Sequence, residues 1–232
     1  MTLAVVSSYT GECLPVLLTS LRCYAPHWKV VVASKQPPAG FDVRHVPHFG
    51  QNYGEAFQYA VGKAVEIYPD EERIVILNDD CVLRPDTAKL LEEDFDLVER
   101  QGVKVGLVVT RCDIVCGPQN VRMAHDGRTD FHGPRLVGEM DVVQIKSAIP
   151  VCGMFLKSVW RKYPIPPIGW SADDVWSYDM MQDGYEHFMS SAYVHHVGGE
   201  TMIEPLAKPS RAHSLRWIQE HRPRYYAEGN WE

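Results

Sequence analysis

No apolar run in this 232-residue chain approaches the ~18 residues that span a bilayer. The N-terminus, M-T-L-A-V-V-S-S-Y, lacks a basic leader and a long apolar stretch, so no secretory signal is expected. Positive charge is also short. The net charge is −7 and the pI about 5.8, which argues weakly against a nucleic-acid binder, since a basic patch can sit on an acidic protein. Neither G-x-G-x-x-G nor G-x-x-x-x-G-K-[ST] occurs, which counts against dinucleotide and P-loop chemistry. The six cysteines (Cys13, Cys23, Cys81, Cys112, Cys116 and Cys152) are scattered, several within apolar runs. They read as reduced core thiols of a cytoplasmic protein, not as a disulfide framework. Cys112-x-x-x-Cys116 finds no second pair to complete a zinc site. No internal repeat is visible. What remains is an ordinary globular composition, 45% apolar and 10% aromatic, enough for one large domain or a domain with a small appendage.

The chain is organised around Arg73 to Asp86, R-I-V-I-L-N-D-D-C-V-L-R-P-D. Ile74 to Leu77 is an uninterrupted apolar run, as in a strand buried on both faces. It ends in Asn78-Asp79-Asp80. Two adjacent carboxylates at the end of a buried strand need a partner, because an unpaired buried charge is costly. A divalent cation such as Mg²⁺ or Mn²⁺ would satisfy them and bridge them to substrate phosphates. A polar turn at the strand end would also account for Asn and Asp here.

In order, the chain predicts a strand over Leu3 to Ser7 and a helix over Glu12 to Tyr24, with Leu14, Leu17, Leu18 and Leu21 at helical spacing. A second strand follows over Lys29 to Ser34, then a K-Q-P-P-A-G loop and a short strand at Val43 to Val46. Glu55 to Tyr68 and Thr87 to Gln101 read as helices on either side of the Arg73 strand. Strand and helix alternate roughly every 30 residues, the pattern of a parallel sheet with helices on its faces. In such sheets ligands collect at the carboxyl ends of the strands. The Ser7-Ser8-Tyr9, Ser34 and Asn78-Asp80 ends are therefore expected to share one crevice.

Beyond residue 102 the pattern changes. Strands are expected at Val103 to Thr110, Val142 to Lys146, Val151 to Leu156 and Glu186 to Val194. Cys116 to Arg135 reads as a polar loop carrying Arg122, His125, Arg128, His132 and Arg135, solvated or in contact with substrate. Ser171-Ala172-Asp173-Asp174 opens a helix running to about Asp183, with Ser171 as the expected N-cap. The tail after Glu200 is basic and aromatic, with a short helix from Ser210 to His221.

Four motifs in this order resemble the GT-A fold, family 2-like inverting glycosyltransferases, over most of residues 3 to 201. They are S-S-Y-T at the first strand end, Asn52-Tyr53-Gly54-Glu55-Ala56, Leu77-Asn78-Asp79-Asp80, and A-D-D-V-W-S-Y-D-M-M-Q-D-G-Y followed by Y-V-H-H-V-G-G-E-T. The resemblance implies a Rossmann-like α/β three-layer sandwich with a mostly parallel sheet, a nucleotide-sugar half over 1–102 and an acceptor half over 103–201. The tail, 202–232, lies outside it. It further implies Mn²⁺ or Mg²⁺ held by Asp80, with His196 or, in the alternative register, His195. Ser8, Tyr9, Ser34, Asn52, Asn78 and Asp79 are the implied donor contacts, with a UDP-sugar leading the candidates. Asp174 is the implied general base, with Asp173 orienting it or the acceptor. Two departures stand out. Asp173 replaces the usual glutamate of the acidic pair, and Asp179 to Met181 lacks the arginine often found on that helix.

Each residue has a plainer reading. Acidic residues favour helix N-termini through the dipole, a strand-end histidine is often only hydrogen-bonded, and packing accounts for Tyr9 and Trp170 as well as stacking on base or sugar does. Gly153 suits either a close backbone approach or a bulge. Rival functions are a sugar nucleotidyltransferase, for which S-S-Y-T-G-E-C is not the needed glycine-rich basic loop, and a non-catalytic nucleotide- or carbohydrate-binding module. The acceptor is a glycan, a lipid-linked sugar or a hydroxymethylated base in modified DNA. The DNA option is raised by Arg211, Arg216, Trp217, Arg222, Arg224, Tyr225 and Tyr226.

Overall fold

A computed structural model describes residues 1–48, 50–113, 115, 118–121, 141–197 and 204–228, with backbone alone over 204–209. The first half runs β1 (Thr2–Ser7), α1 (Leu14–Tyr24), β2 (Lys29–Ser34), β3 (Arg44–Pro47), α2 (Tyr53–Ile67), β4 (Arg73–Asn78), β5 (Cys81–Leu83) and α3 (Thr87–Arg100). The second half runs β6 (Lys104–Arg111), β7 (Val143–Ile145), β8 (Cys152–Leu156), α4 (Lys157–Lys162), α5 (Ala172–Gln182), β9 (Tyr185–His196), α6 (Glu204–His221) and α7 (Pro223–Ala227).

These strands form one sheet in the order β3-β2-β1-β4-β8-β6-β9-β5, with β7 also paired to β9. β3, β2, β1 and β4 run parallel. Beyond β4 the sheet is mixed, because β8 is antiparallel to both β4 and β6, while β6 and β9 are parallel. The chain leaves β1 toward β2 and β3, then returns to β1's other side with β4. The carboxyl ends of β1 and β4 therefore flank a topological switch point, where open α/β sheets bind ligands.

Period-2 alternation builds three layers. Ala4, Val6, Val75 and Leu77 face one way and pack under α1 and α3, with Leu17, Leu21, Leu91 and Phe95. Leu3, Val5, Ile74 and Ile76 face the other way, against Phe57 of α2, Val159 of α4 and Trp176 of α5. Burial on both faces explains why the strands read as continuous apolar runs. A third cluster joins Ile168, Ala172 and Val175 to Ile218 and Tyr225, so the tail packs on α5.

Two elements join those expected, and the N-cap of α5 differs from its expected form. Cys81–Leu83 is a strand, paired antiparallel with His196, His195 and Val194 of β9. Lys157–Lys162 is helical. Ser171 stands at the N-cap of α5, but it adopts the left-handed conformation with φ 58° and makes no side-chain cap. Among the described residues it is the only non-glycine with positive φ, a placement that costs free energy.

Candidate active site

The switch point is closed by side chains from three strand ends, those of β1, β4 and β9. Ser7 pairs in register with Asn78, so the next residues, Ser8 and Asp79, are brought opposite each other. Ser8 Oγ donates to Asp79 Oδ2 at 2.5 Å, with both side chains buried. Asp80 is also buried, and the end of β9 lies behind it, where the Val197 N–H donates to the Asp80 carbonyl at 3.0 Å. His196 Nε2 stands 3.2 Å from Asp80 Oδ1. That oxygen is enclosed and accepts no well-aligned hydrogen bond.

An enclosed carboxylate oxygen without a donor is costly, and its position beside an imidazole nitrogen suits a cation. Asp80 and His196 could hold Mg²⁺ or Mn²⁺, which typically take one or two protein ligands and complete their shell with water and phosphate. Among the described residues no group of three or more His, Cys, Asp or Glu side chains forms a fuller cage. Strand alternation separates the two histidines: His195 turns away from Asp80 to pair through Nδ1 with Asp113 Oδ2 at 2.7 Å.

The other expected donor contacts have varied surroundings. Tyr9 is exposed, with Lys35 Nζ 3.9 Å from its ring centre and His48 edge-on at 5.7 Å. Ser34 is buried and donates to the Gln36 carbonyl, so its hydroxyl holds the turn after β2. Asn52 caps α2, accepting from the Glu55 N–H at 3.0 Å and donating to the Pro167 carbonyl at 3.3 Å. Asn78 is half-buried, and its backbone N–H donates to the Val151 carbonyl. Gly54 and Gly153 have packing reasons. A Cβ on Gly54 would lie 1.8 Å from the Pro166 carbonyl oxygen, and one on Gly153 2.7 Å from Pro150 Cβ.

The second acidic pair opens α5. The helix is fixed by Trp176, whose indole donates to the Tyr163 carbonyl at 2.7 Å and packs edge-on against Phe155 at 5.1 Å. Asp174 Oδ1 accepts from Ser147 Oγ at 2.5 Å, and Asp173 Oδ1 accepts from the Asp174 N–H. Burial, and then the neighbouring Asp174 charge, push the Asp173 carboxyl up to about 7. Trp170 is exposed just before the pair, its N–H donating to Ser214 Oγ. One segment links both acidic pairs. Ser147 bonds Asp174, while the Val151 carbonyl accepts from Asn78 N–H and Cys81 Sγ. Four residues of chain reach at most ~14 Å, so the carboxylates of β4 and of α5 belong to one neighbourhood.

Sequence reading missed three residues. Asp113, at the end of β6, is buried and holds both histidines. Ser147 holds Asp174. Asp94 of α3 accepts from Ser190 Oγ, Ser191 N–H and Ser191 Oγ, tying down the middle of β9. Asp113 is a lone acid between Cys112 and Ile114, the one signal that could have marked it, whereas Asp94 is hidden in the acidic run Glu92-Glu93-Asp94-Phe95-Asp96. In the tail, Arg222 pairs with Asp179 through Nε and Nη2, and Tyr225 is buried against Tyr178. Two of the residues that raised a nucleic-acid acceptor thus serve packing. Arg122, His125, Arg128, His132 and Arg135, and the Gly198-Gly199-Glu200-Thr201 motif, lie outside the described residues.

Sheet order, switch point and flanking helices define an α/β fold of the GT-A glycosyltransferase type, as the motifs led us to expect. Among solved structures the chain is similar to S. aureus TarS. For TarS 1-349 in complex with UDP-GlcNAc the TM-score is 0.57 at 12% identity, covering 97% of this chain and 72% of that one. A structure of TarS 1-349 gives 0.53 at 11%, covering 84% and 60%, and one of TarS gives 0.53 at 12%, covering 97% and 43%. The chain thus spans 60% of the first TarS 1-349 structure and 43% of the TarS structure. At such identity the likeness establishes a shared fold. No protein-family model and no curated protein matches the sequence. No described helix is long and apolar enough to cross a membrane.

Proposed function

We propose that this protein is an inverting, metal-dependent glycosyltransferase that moves a sugar from a nucleoside-diphosphate sugar, first of all a UDP-sugar, to an acceptor hydroxyl. The observation that carries the reading is the donorless Asp80 Oδ1 beside His196 Nε2 at the β1–β4 switch point. The GT-A fold and the likeness to a protein solved with UDP-GlcNAc support it.

Asp80 and His196 would hold Mn²⁺ or Mg²⁺. A divalent cation bound there neutralises charge on the leaving diphosphate as a Lewis acid. Asp79 is fixed by Ser8 and is left to support that site or to accept from the donor ribose. Tyr9, Lys35 and the turn held by Ser34 border the same strand ends and suit the nucleobase side. On the acceptor side the hydroxyl O–H gives its proton to Asp174, the new C–O bond forms at the anomeric carbon, and the old C–O bond releases the nucleoside diphosphate. Asp173 orients Asp174, and the exposed Trp170 offers a face for a sugar ring. A glycan hydroxyl is the acceptor we favour.

The test is a panel of UDP-, GDP- and TDP-sugars, each with and without Mn²⁺, read by thermal unfolding and by release of free nucleotide. A specific donor at one hundred times its Kd stabilises by about 2.7 kcal/mol. Stabilisation by one nucleotide-sugar, dependent on Mn²⁺ and lost in Asp80→Ala, supports the assignment. No stabilisation and no Mn²⁺-dependent hydrolysis with any donor overturns it, and stabilisation without turnover leaves a binding module.

A further inference from the structure

The residue that sets His196 in place is a carboxylate no motif contains. Asp113 follows Cys112 at the end of β6, and its side chain is buried to 2% exposure. Oδ1 accepts from the His196 backbone N–H at 2.8 Å, and Oδ2 pairs with His195 Nδ1 at 2.7 Å. The β6–β9 ladder shifts register between Val109 and Arg111 and reaches no further than Arg111 with Tyr193. Past that point the histidine segment is held from the β6 side by the Asp113 carboxylate. On its other edge, β5 pairs Cys81 with His196 and Val82 with His195, and β5 begins directly after Asp80.

We propose that Asp113 is a positioning residue for the cation site. By gripping the His196 backbone and the His195 ring together, it fixes the end of β9 so that His196 Nε2 faces Asp80. The inference rests on the reading of Asp80 and His196 given above. A carboxylate in this position fixes the backbone that carries the His196 imidazole without touching the cation, and losing an outer partner of a metal ligand typically weakens metal affinity 10–100-fold. Burial sharpens the effect, because a backbone N–H that loses its acceptor in an enclosed strand end carries the desolvation cost.

The experiment is a Mn²⁺ titration of the full chain with saturating UDP, followed by the paramagnetic resonance of free Mn²⁺, with thermal unfolding of each metal-free variant alongside. Asp113→Ala should raise the Mn²⁺ Kd 10–100-fold. Asp113→Asn keeps an acceptor for the His196 N–H and loses the charge that holds His195, so its Kd should fall between wild type and Asp113→Ala. Asp94→Ala, which removes the other buried carboxylate gripping β9, should lower Tm and keep the Kd within about twofold of wild type, since it touches neither histidine. Equal Kd for wild type and both Asp113 variants overturns the inference, as does an equal loss in Asp94→Ala and Asp113→Ala. If Asp113→Ala does not fold, Asp113→Asn decides by the same criterion. A wild-type chain that binds no Mn²⁺ with UDP would remove the reading of Asp80 and His196 itself.

Discussion

Ser147 Oγ donates to Asp174 Oδ1 at 2.5 Å, and this one contact fixes the carboxylate we assign as general base. Ser147 lies just past β7 and Asp174 in the first turn of α5, so the bond also ties the linking segment to that helix. Ser147→Ala leaves Asp174 free to rotate. A misplaced catalytic group can cost on the order of 10²-fold, while a lost hydrogen bond costs only about 1 kcal/mol of stability. Steady-state kinetics should show kcat reduced about 10–100-fold with donor KM unchanged, and Asp174→Asn should reduce kcat by about 10²–10⁴-fold with donor binding intact. A change confined to donor KM would place Ser147 on the donor side.

Asp80 offers the opposite signature. Its enclosed Oδ1 has no aligned donor, so the metal-free chain bears the cost of that orphan oxygen. Asp80→Asn replaces a buried charge with a neutral amide of the same shape. Metal-free thermal unfolding should be unchanged or stabilised by about 1 kcal/mol, and the Mn²⁺-dependent gain with a UDP-sugar should vanish. A variant that loses stability without metal and keeps the Mn²⁺ response would contradict the assignment.

Asp173 gives a pH dependence with a definite sign. Its carboxyl sits near 3.8 when exposed and is pushed up to about 7 here by burial and by Asp174. Between those values the folded chain keeps a proton that the unfolded chain releases, so this residue's contribution to stability falls as pH rises from about 4 to about 7 and is level above that. Asp173→Asn removes the dependence. Its Tm minus that of wild type should be near zero at pH 4 and positive at pH 8. Differencing cancels other titrating groups, including His187, which burial holds below its ordinary value. In activity, wild-type kcat/KM should climb as pH passes about 7, because the Asp173 charge then stands beside the base. Identical Tm profiles for the two proteins would refute the burial argument.

Tyr225 tests whether the tail belongs to the acceptor side. It packs with Ala172 and Val175 of α5 and edge-on with Tyr178 at 5.1 Å, and the same helix turn is held by Arg222 on Asp179. Truncating a buried aromatic costs about 3 kcal/mol, which for a chain of this size lowers Tm by about 6–12 °C. Tyr225→Ala should do this and also depress kcat, because α5 carries Asp174. A tail that only appended a surface would move neither.

The sequence by itself determined the strands and flanking helices other than β5 and α4, and the acidic ends of β4 and α5. Those signals are local: apolar runs at β4, helical spacing in α1, adjacent acids at Asp79-Asp80 and Asp173-Asp174. The tertiary structure decided the partners. His196, not His195, meets Asp80, because β9 pairs with β5 in a register no periodicity encodes and alternation turns the two rings to opposite sides. Asp113 reaches His196 across 83 residues and Ser147 reaches Asp174 across 27. Ser171 takes the N-cap position the sequence predicts, but in a left-handed conformation and without a side-chain cap, a backbone geometry that no local signal encodes. Short-range chemistry set what each segment is. Long-range burial set which carboxylate stands beside which histidine.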